Sequence, residues 1–404
     1  HYDFWGVPDA VGRAWAAGTA VALGQPAAAA YREFDLHADG HAALAALREL
    51  IDGAAHSIDI CTYILGNDAL GRELTQQLCA KARAGVRVRL LLDGVGRLLG
   101  GRPPLGALRA AGVAVKLFVP PLHSPLKGRT NLRNHRKLLI ADAGRDTQRV
   151  WSGGRNLAAE YFTGSAGQPA WHDLSFDARG ALVEQAAQLF EHDWAFAHGR
   201  TLPWPAPDLP ADLSSGHGAS PDLPLAASGA QLLASGPDQA EDTVHALLVS
   251  AAYRAQQRLR LCTPYFVPDA ALLMALCLAA RRGVQLDLLL PQRSNPRISA
   301  LARRRALRSL SAAGGRIWLV PHMLHAKLVV VDDVVALHGS ANLDSRSLFL
   351  NYELMFAFHD TPTTAAFADW FDRERAGATP HVPEPPGLAG DMLDGLVLWM
   401  GFQL

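Results

Sequence analysis

LCAKARAGVRVRLLL, residues Leu78–Leu92, returns 198 positions later as LCLAARRGVQLDLLL, residues Leu276–Leu290, with 9 of 15 positions identical. Unrelated stretches of this length share about one. The flanks keep the same order: SIDICTY around Cys61 matches RLRLCTPY around Cys262, and LRAAGV from Leu108 matches LSAAGG from Leu310. The chain is therefore a duplicated unit. Each copy reads as an alternating strand (Ile58, Ile60; Leu259, Leu261), a helix with apolar 3-and-4 spacing, and a strand ending in Leu-Leu-Leu. That is the βαβ pattern of an α/β layer. A sheet covered by helices on both faces needs nearly continuous apolar strands, which LLIA after Lys137 and LVVV after Lys327 supply. The expected fold is two similar α-β-α halves.

Composition bounds the rest. The 404 residues are 49% hydrophobic and 19% charged, a balance that builds cores and excludes a disordered chain. Lys+Arg 38 against Asp+Glu 38 leaves no net charge, which counts against a general nucleic-acid binder. Residues 1–40 read as an N-terminal segment, 41–200 as the first half and 225–375 as the second. Between the halves, 201–224 is a linker carrying Pro203, Pro205, Pro207, Pro210, Pro221 and Pro224. Residues 376–404 form a tail. Its last stretch, DMLDGLVLWMGFQL from Asp391, suits an interfacial helix as well as packing on the body, and Trp5, Trp15 and Trp399 lie near the chain ends. No apolar run is long enough to span a bilayer; Ala14–Tyr31, the nearest, is broken by Gly18, Gly24 and Pro26. The sequence begins at His1, which is compatible with an upstream signal or anchor. Cys61, Cys79, Cys262 and Cys277 have no CxxC spacing and recur on apolar elements, so they read as small core residues.

The chemistry lies just after each βαβ unit. RNHRKLLIAD gives His135, Lys137 and Asp142; MLHAKLVVVD gives His325, Lys327 and Asp332. Both are H-x-K-x-x-x-x-D, in a chain with only five lysines. Residues two apart on a strand face the same way, so each His projects with its Lys. Downstream, GGRN (Gly153, Gly154, Asn156) and GSANLD (Gly339, Ser340, Asn342) place small residues beside an amide donor. Two such sets converging on one point fit a phosphodiester. One imidazole attacks phosphorus while the other protonates the leaving alkoxide, and lysines and asparagines stabilise the equatorial oxygens. This chemistry requires no metal and no cofactor.

The repeated motifs, with TYILGNDALG, SGGRNLAAEY, TPYFVPD and GSANLDSRSLFLNYE, resemble the phospholipase D superfamily, and within it the bacterial cardiolipin synthases, over most of residues 40–375. The resemblance implies halves related by approximate two-fold symmetry, with one active site at their interface. It implies a ping-pong mechanism through a phosphohistidine, with His135 as nucleophile and His325 as general acid and then base. Lys137, Lys327, Asn156 and Asn342 would bind the phosphoryl group, with Ser340 as a further donor. A carboxylate would orient each imidazole: Asp173 in WHD for the first copy and Glu353 in NYE for the second. Asp142 and Asp332 read as structural. The expected substrate is phosphatidylglycerol, with phosphatidylglycerol or phosphatidylethanolamine as acceptor, at the cytoplasmic side of a bacterial inner membrane. No nucleic-acid partner is expected.

The motif histidines stand out because the constellation recurs. His37, His41, His56, His123, His172, His192, His217, His245, His322 and His338 read instead as core or surface residues. Three rivals remain at this stage: a hydrolytic phospholipase D, a nuclease or other phosphodiesterase of the superfamily, and an inactive phosphate-binding module. AGRDTQRVW after Asp142 is longer than the corresponding DVVALH run after Asp332, which predicts a longer hairpin in the first copy.

Overall fold

A computed structural model describes residues 9–118, 132–204, 229–293 and 300–385. The first sheet comprises β1 (Tyr31–His37), β2 (Ser57–Thr62), β3 (Arg87–Asp93), β4 (Ala114–Phe118), β5 (Leu138–Ala141), β6 (Arg149–Gly153) and β7 (Ser175–Gly180), in the order β1-β7-β6-β5-β2-β3-β4. The second half continues with β8 (Ala230–Ser235), β9 (Arg258–Cys262), β10 (Phe266–Val267), β11 (Gln285–Pro291), β12 (Arg316–Val320), β13 (Leu328–Val331), β14 (Val335–Gly339), β15 (Leu343–Asp344), β16 (Glu353–Phe358) and β17 (Thr379–His381). Read from β8, its main sheet runs β8-β16-β14-β13-β9-β11-β12-β17, the first sheet's order plus one edge strand. β10 and β15 form a separate parallel pair.

The duplication read from sequence is thus a duplication of topology. Each sheet is mixed. The βαβ units supply parallel pairs (β2 with β3, β3 with β4; β9 with β11, β11 with β12), and the motif strands β5 and β13 then join antiparallel and open a hairpin. The loop between β5 and β6 is the longer of the two hairpin loops, as the sequence predicts.

β1 falls within the 1–40 segment yet edges the first sheet against β7, and β17 falls within the 376–404 tail yet edges the second against β12. The halves therefore reach beyond the boundaries drawn from the repeat, because edge strands lie outside the repeated motif. The linker from residue 205 onward, the segment from Asp391, Trp5 and Trp399 lie outside the described residues, as do His123 and His217.

Helices Gly40–Gly53 and Ala69–Arg83 cover one face of the first sheet over Leu47, Leu74, Ile58, Ile60 and Leu90. Helices Thr243–Arg254 and Ala270–Arg281 do the same for the second over Leu247, Leu276, Leu259 and Leu288. The remaining faces share one core. Ile140, Val150 and Phe176 from the first half meet Val330, Phe356 and Phe358 from the second, flanked by helices Leu182–Ala197 and Thr361–Ala376. This shared core fixes the halves against each other. All four cysteines are free; three are buried and Cys277 is partly so. No helix among the described residues is long and apolar enough to cross a membrane.

Candidate active site

Two backbone bridges across the halves build the site. Before β5, the His135 N–H donates to the Tyr352 carbonyl at 2.8 Å, and the Tyr352 N–H donates to Arg133 at 2.9 Å. Before β13, the His325 N–H donates to the His172 carbonyl at 2.7 Å, and the His172 N–H donates to Met323 at 2.8 Å. Each motif histidine thus sits in the lead-in to its strand, paired with the other half. The residue after each bridging partner is a carboxylate: Glu353 after Tyr352 and Asp173 after His172.

This crosses the pairing expected from sequence. Asp173 of the first half accepts from His325 Nδ1 at 2.6 Å, and Glu353 of the second half lies 3.4 Å from His135 Nδ1. The expected in-copy pairing fails because Asp173, just before β7, and Glu353, at the start of β16, each turn their carboxylate toward the partner half's lead-in. Both Nδ1 atoms face a carboxylate, so Nε2 is the nitrogen of each ring turned away from it. His135 keeps 21% of its side chain exposed and His325 12%, while both carboxylates are fully enclosed.

The lysines lie against their own histidines. Lys137 Nζ donates to the His135 carbonyl at 2.6 Å and Lys327 Nζ to the His325 carbonyl at 2.7 Å, with Lys327 Nζ also 2.9 Å from His325 Nε2. Their own carbonyls are capped in turn, Lys137 by the Ser152 hydroxyl at 2.6 Å and Lys327 by His338 Nδ1 at 2.7 Å. Both lysines feel both carboxylates electrostatically, so the two sets share one site.

Burial shapes the charges. It lowers His135, partly opposed by Glu353, and with Lys327 it brings His325 down to about 4 despite Asp173. Desolvation pulls Lys327 down to about 7 and lowers Lys137. Burial alone would raise both carboxyls, but His325 with Lys327 holds Asp173 well below the carboxylate range, and His135 with Lys137 lowers Glu353. The free site at neutral pH therefore holds neutral imidazoles between anionic carboxylates.

Asn156 and Asn342 are both buried. Asn156 Oδ1 accepts the Ile64 N–H at 3.3 Å and its side chain also hydrogen-bonds Tyr161, while among the described residues Asn342 Oδ1 has no hydrogen-bond partner. Ser340 departs from expectation. Its hydroxyl donates to Glu353 Oε2 at 2.5 Å and accepts the Leu354 N–H at 2.9 Å, so its proton orients Glu353 rather than a phosphate. Asp142 accepts the N–H groups of Ala55, His56 and Ser57, and Asp332 those of Gln256, Gln257 and Arg258; each ties its motif strand to the strand beside it.

Sequence reading missed several supports. Tyr63 packs 4.3 Å from the His135 ring, and Tyr161 packs 5.0 Å from His325. Arg136, fully buried, spans the seam to Asp193, Asp238 and the carbonyls of Ser235 and Glu353. Arg155 donates to the carbonyls of His37, Ala38, Tyr161 and Asp173. The available signal is asymmetry: both arginines stand where the second copy has Ala326 and Ala341.

A family model described as cardiolipin synthase, PLD-like (phospholipase D-like) domain matches residues 47–194 and 248–375. The chain belongs to this family. It is 34% identical over 333 residues to cardiolipin synthase A of Shigella boydii serotype 4 (strain Sb227), covering 80% of this chain and 65% of that protein. With cardiolipin synthase A of Salmonella arizonae it shares 32% over 354 residues, covering 85% and 70%. The chain thus spans about two thirds of the length of the curated relatives it matches. In fold it is similar to phosphatidylserine synthase of Haemophilus influenzae, with TM-score 0.67 and 15% identity over 96% of this chain and 98% of that one. Polyphosphate kinase of Porphyromonas gingivalis matches with TM-score 0.57 and 13% identity over 90% and 53%. The two matched stretches of the family model fall one in each half, with His135 and Lys137 in the first and His325 and Lys327 in the second.

Proposed function

We propose that the chain is a phosphatidyltransferase of the cardiolipin synthase type, working through a covalent phosphohistidine at the seam. One observation carries the reading: two His-Lys sets, each histidine completed by the other half's carboxylate, share a single site. His135, the more exposed ring, serves as nucleophile. Its Nδ1–H faces Glu353, so the Nε2 lone pair attacks the phosphorus of phosphatidylglycerol. The bond from phosphorus to the glycerol oxygen breaks, and His325 Nε2–H gives that oxygen its proton. His325 then takes the proton of the acceptor hydroxyl, whose oxygen attacks phosphorus as the bond to His135 breaks. Products are glycerol and cardiolipin; where phosphatidylethanolamine is the donor instead, ethanolamine leaves and the phosphatidylglycerol hydroxyl again accepts, giving ethanolamine and cardiolipin.

His325 must be protonated for the first step although it titrates near about 4 in the free site. The phosphodiester brings a negative charge that offsets Lys327 and raises the imidazole, so protonation accompanies substrate binding. Lys137, Lys327, Asn156 and Asn342 bind the phosphoryl oxygens. Residues from β1 to Ala197 form the first functional half and those from β8 to β17 the second. The enzyme works at a phospholipid surface, on the cytoplasmic side of a bacterial inner membrane.

The test is product analysis. The purified chain, in vesicles of phosphatidylglycerol with and without phosphatidylethanolamine, is expected to form cardiolipin by mass spectrometry, with glycerol or ethanolamine released according to the donor and with loss of product in His135→Ala. Phosphatidic acid without any transfer product would make it a hydrolase.

A further inference from the structure

The same seam carries a second cluster, outside the reacting groups. His172 Nδ1 lies 3.1 and 3.2 Å from the carboxylate oxygens of Glu374, and His322 Nε2 lies 2.9 Å from Glu374 Oε2. The two imidazoles stack with ring centroids 3.5 Å apart, and all three ligand atoms fall within 4.8 Å of one another. We propose that His172, His322 and Glu374 form a divalent metal site of the zinc class, bridging the halves beside the His325–Asp173 pair.

The donor set and its spacing support this. Two imidazole nitrogens and a carboxylate suit zinc, whose bonds of about 2.0–2.2 Å place tetrahedral neighbours about 3.3 Å apart. The nitrogen-to-oxygen separations here are close to that edge, and the two stacked rings would swing apart to bring both lone pairs onto one ion. Among the described residues, the ion pairs of Glu374 are to these two imidazoles. The other candidate group, His192 with Asp193 and Asp238, differs on this point, because the Arg136 guanidinium already occupies both carboxylates. With 46% of the His172 side chain exposed, solvent can complete the coordination.

The ligands come from three segments. His172 precedes Asp173 and its carbonyl holds the His325 N–H, His322 lies three residues before His325, and Glu374 ends helix Thr361–Ala376. A cation there fixes both strand lead-ins that carry the His325–Asp173 pair. It touches no reacting atom, so it acts as a positioning and stabilising site, separate from phosphoryl transfer.

The full chain, stripped with chelator and dialysed, is titrated with Co²⁺ and then Zn²⁺. The expected result is one equivalent of Co²⁺ per chain with the visible absorption of a low-coordinate site, displacement by Zn²⁺, and a thermal midpoint that rises with Zn²⁺. Glu374→Gln and His322→Gln should lose the absorption and the shift while keeping a cooperative metal-free unfolding transition, and His325→Gln should keep both. Absence of saturable binding would overturn the proposal. So would binding that survives in Glu374→Gln, or that disappears in His325→Gln, which would put the ion on the catalytic pair.

Discussion

A carboxylate 2.6 Å from His325 Nδ1 fixes the tautomer that leaves Nε2 to handle protons, and its removal should act on rate more than on binding. Asp173→Asn is expected to lower kcat by about 10²–10⁴-fold with KM little changed, measured by lipid product formation. Glu353→Gln should cost less, because its contact with His135 is the looser one at 3.4 Å. An equal or greater loss in Glu353→Gln would contradict that ordering. Gly154 makes the tighter pair possible. A Cβ built there would sit 2.2 Å from Asp173 Oδ1, whereas the corresponding Ser340 supports Glu353 by a hydrogen bond. Gly154→Ala should therefore push Asp173 away from His325 and mimic Asp173→Asn in kcat while the protein stays folded; wild-type kcat would show that the site has slack. At this scale the repeated His-Lys pairs were legible because they recur. The crossed partnership with the carboxylates was not, since a periodic sequence does not say which half a strand lead-in will meet.

The strands β5 and β13 were readable almost residue for residue, as LLIA and LVVV, because a strand buried on both faces must be apolar throughout. Edge strands β1 and β17 were not. YREFDLH mixes charged with apolar positions and the TPH of Thr379–His381 carries no strand signal, so pairing with a neighbour decides both. The elements that close the seam were equally hidden, since their contacts are long-range. Arg136 leaves the lead-in to β5 and holds Asp193 on helix Leu182–Ala197, Asp238 after β8 and the Glu353 carbonyl at the start of β16. Arg136→Met leaves two buried carboxylates without their cation and should destabilise by about 3–5 kcal/mol. Chemical denaturation measures this, and a loss below about 1 kcal/mol would show that the clamp is dispensable.

Over the whole molecule, one core joins two copies of one topology, and the active site is the polar end of that joint. Its buried imidazoles make stability depend on pH. Burial brings His325 and His338 down to about 4 from 6.5, so between those values the unfolded chain binds more protons than the folded one. Stability then rises with pH through that window and is lost on acidification. Asp173, held below the carboxylate range, extends the loss to lower pH. Thermal midpoints should fall by several degrees between about pH 7 and about pH 5; a flat profile would mean that these rings are protonated in the fold. The duplication, visible in the sequence, announced the symmetry, while the mutual completion of the halves emerged only from their packing. The central claim is that this shared site works through a phosphatidyl group carried on His135 and released by His325 with Asp173. Its most direct test is rapid quenching of the chain with labelled phosphatidylglycerol, followed by peptide mass spectrometry on wild type and Asp173→Asn. Label on the His135 peptide in the wild type, with both its appearance and its loss slowed in Asp173→Asn, is the expected result; transfer at full rate with no label on either histidine would contradict it.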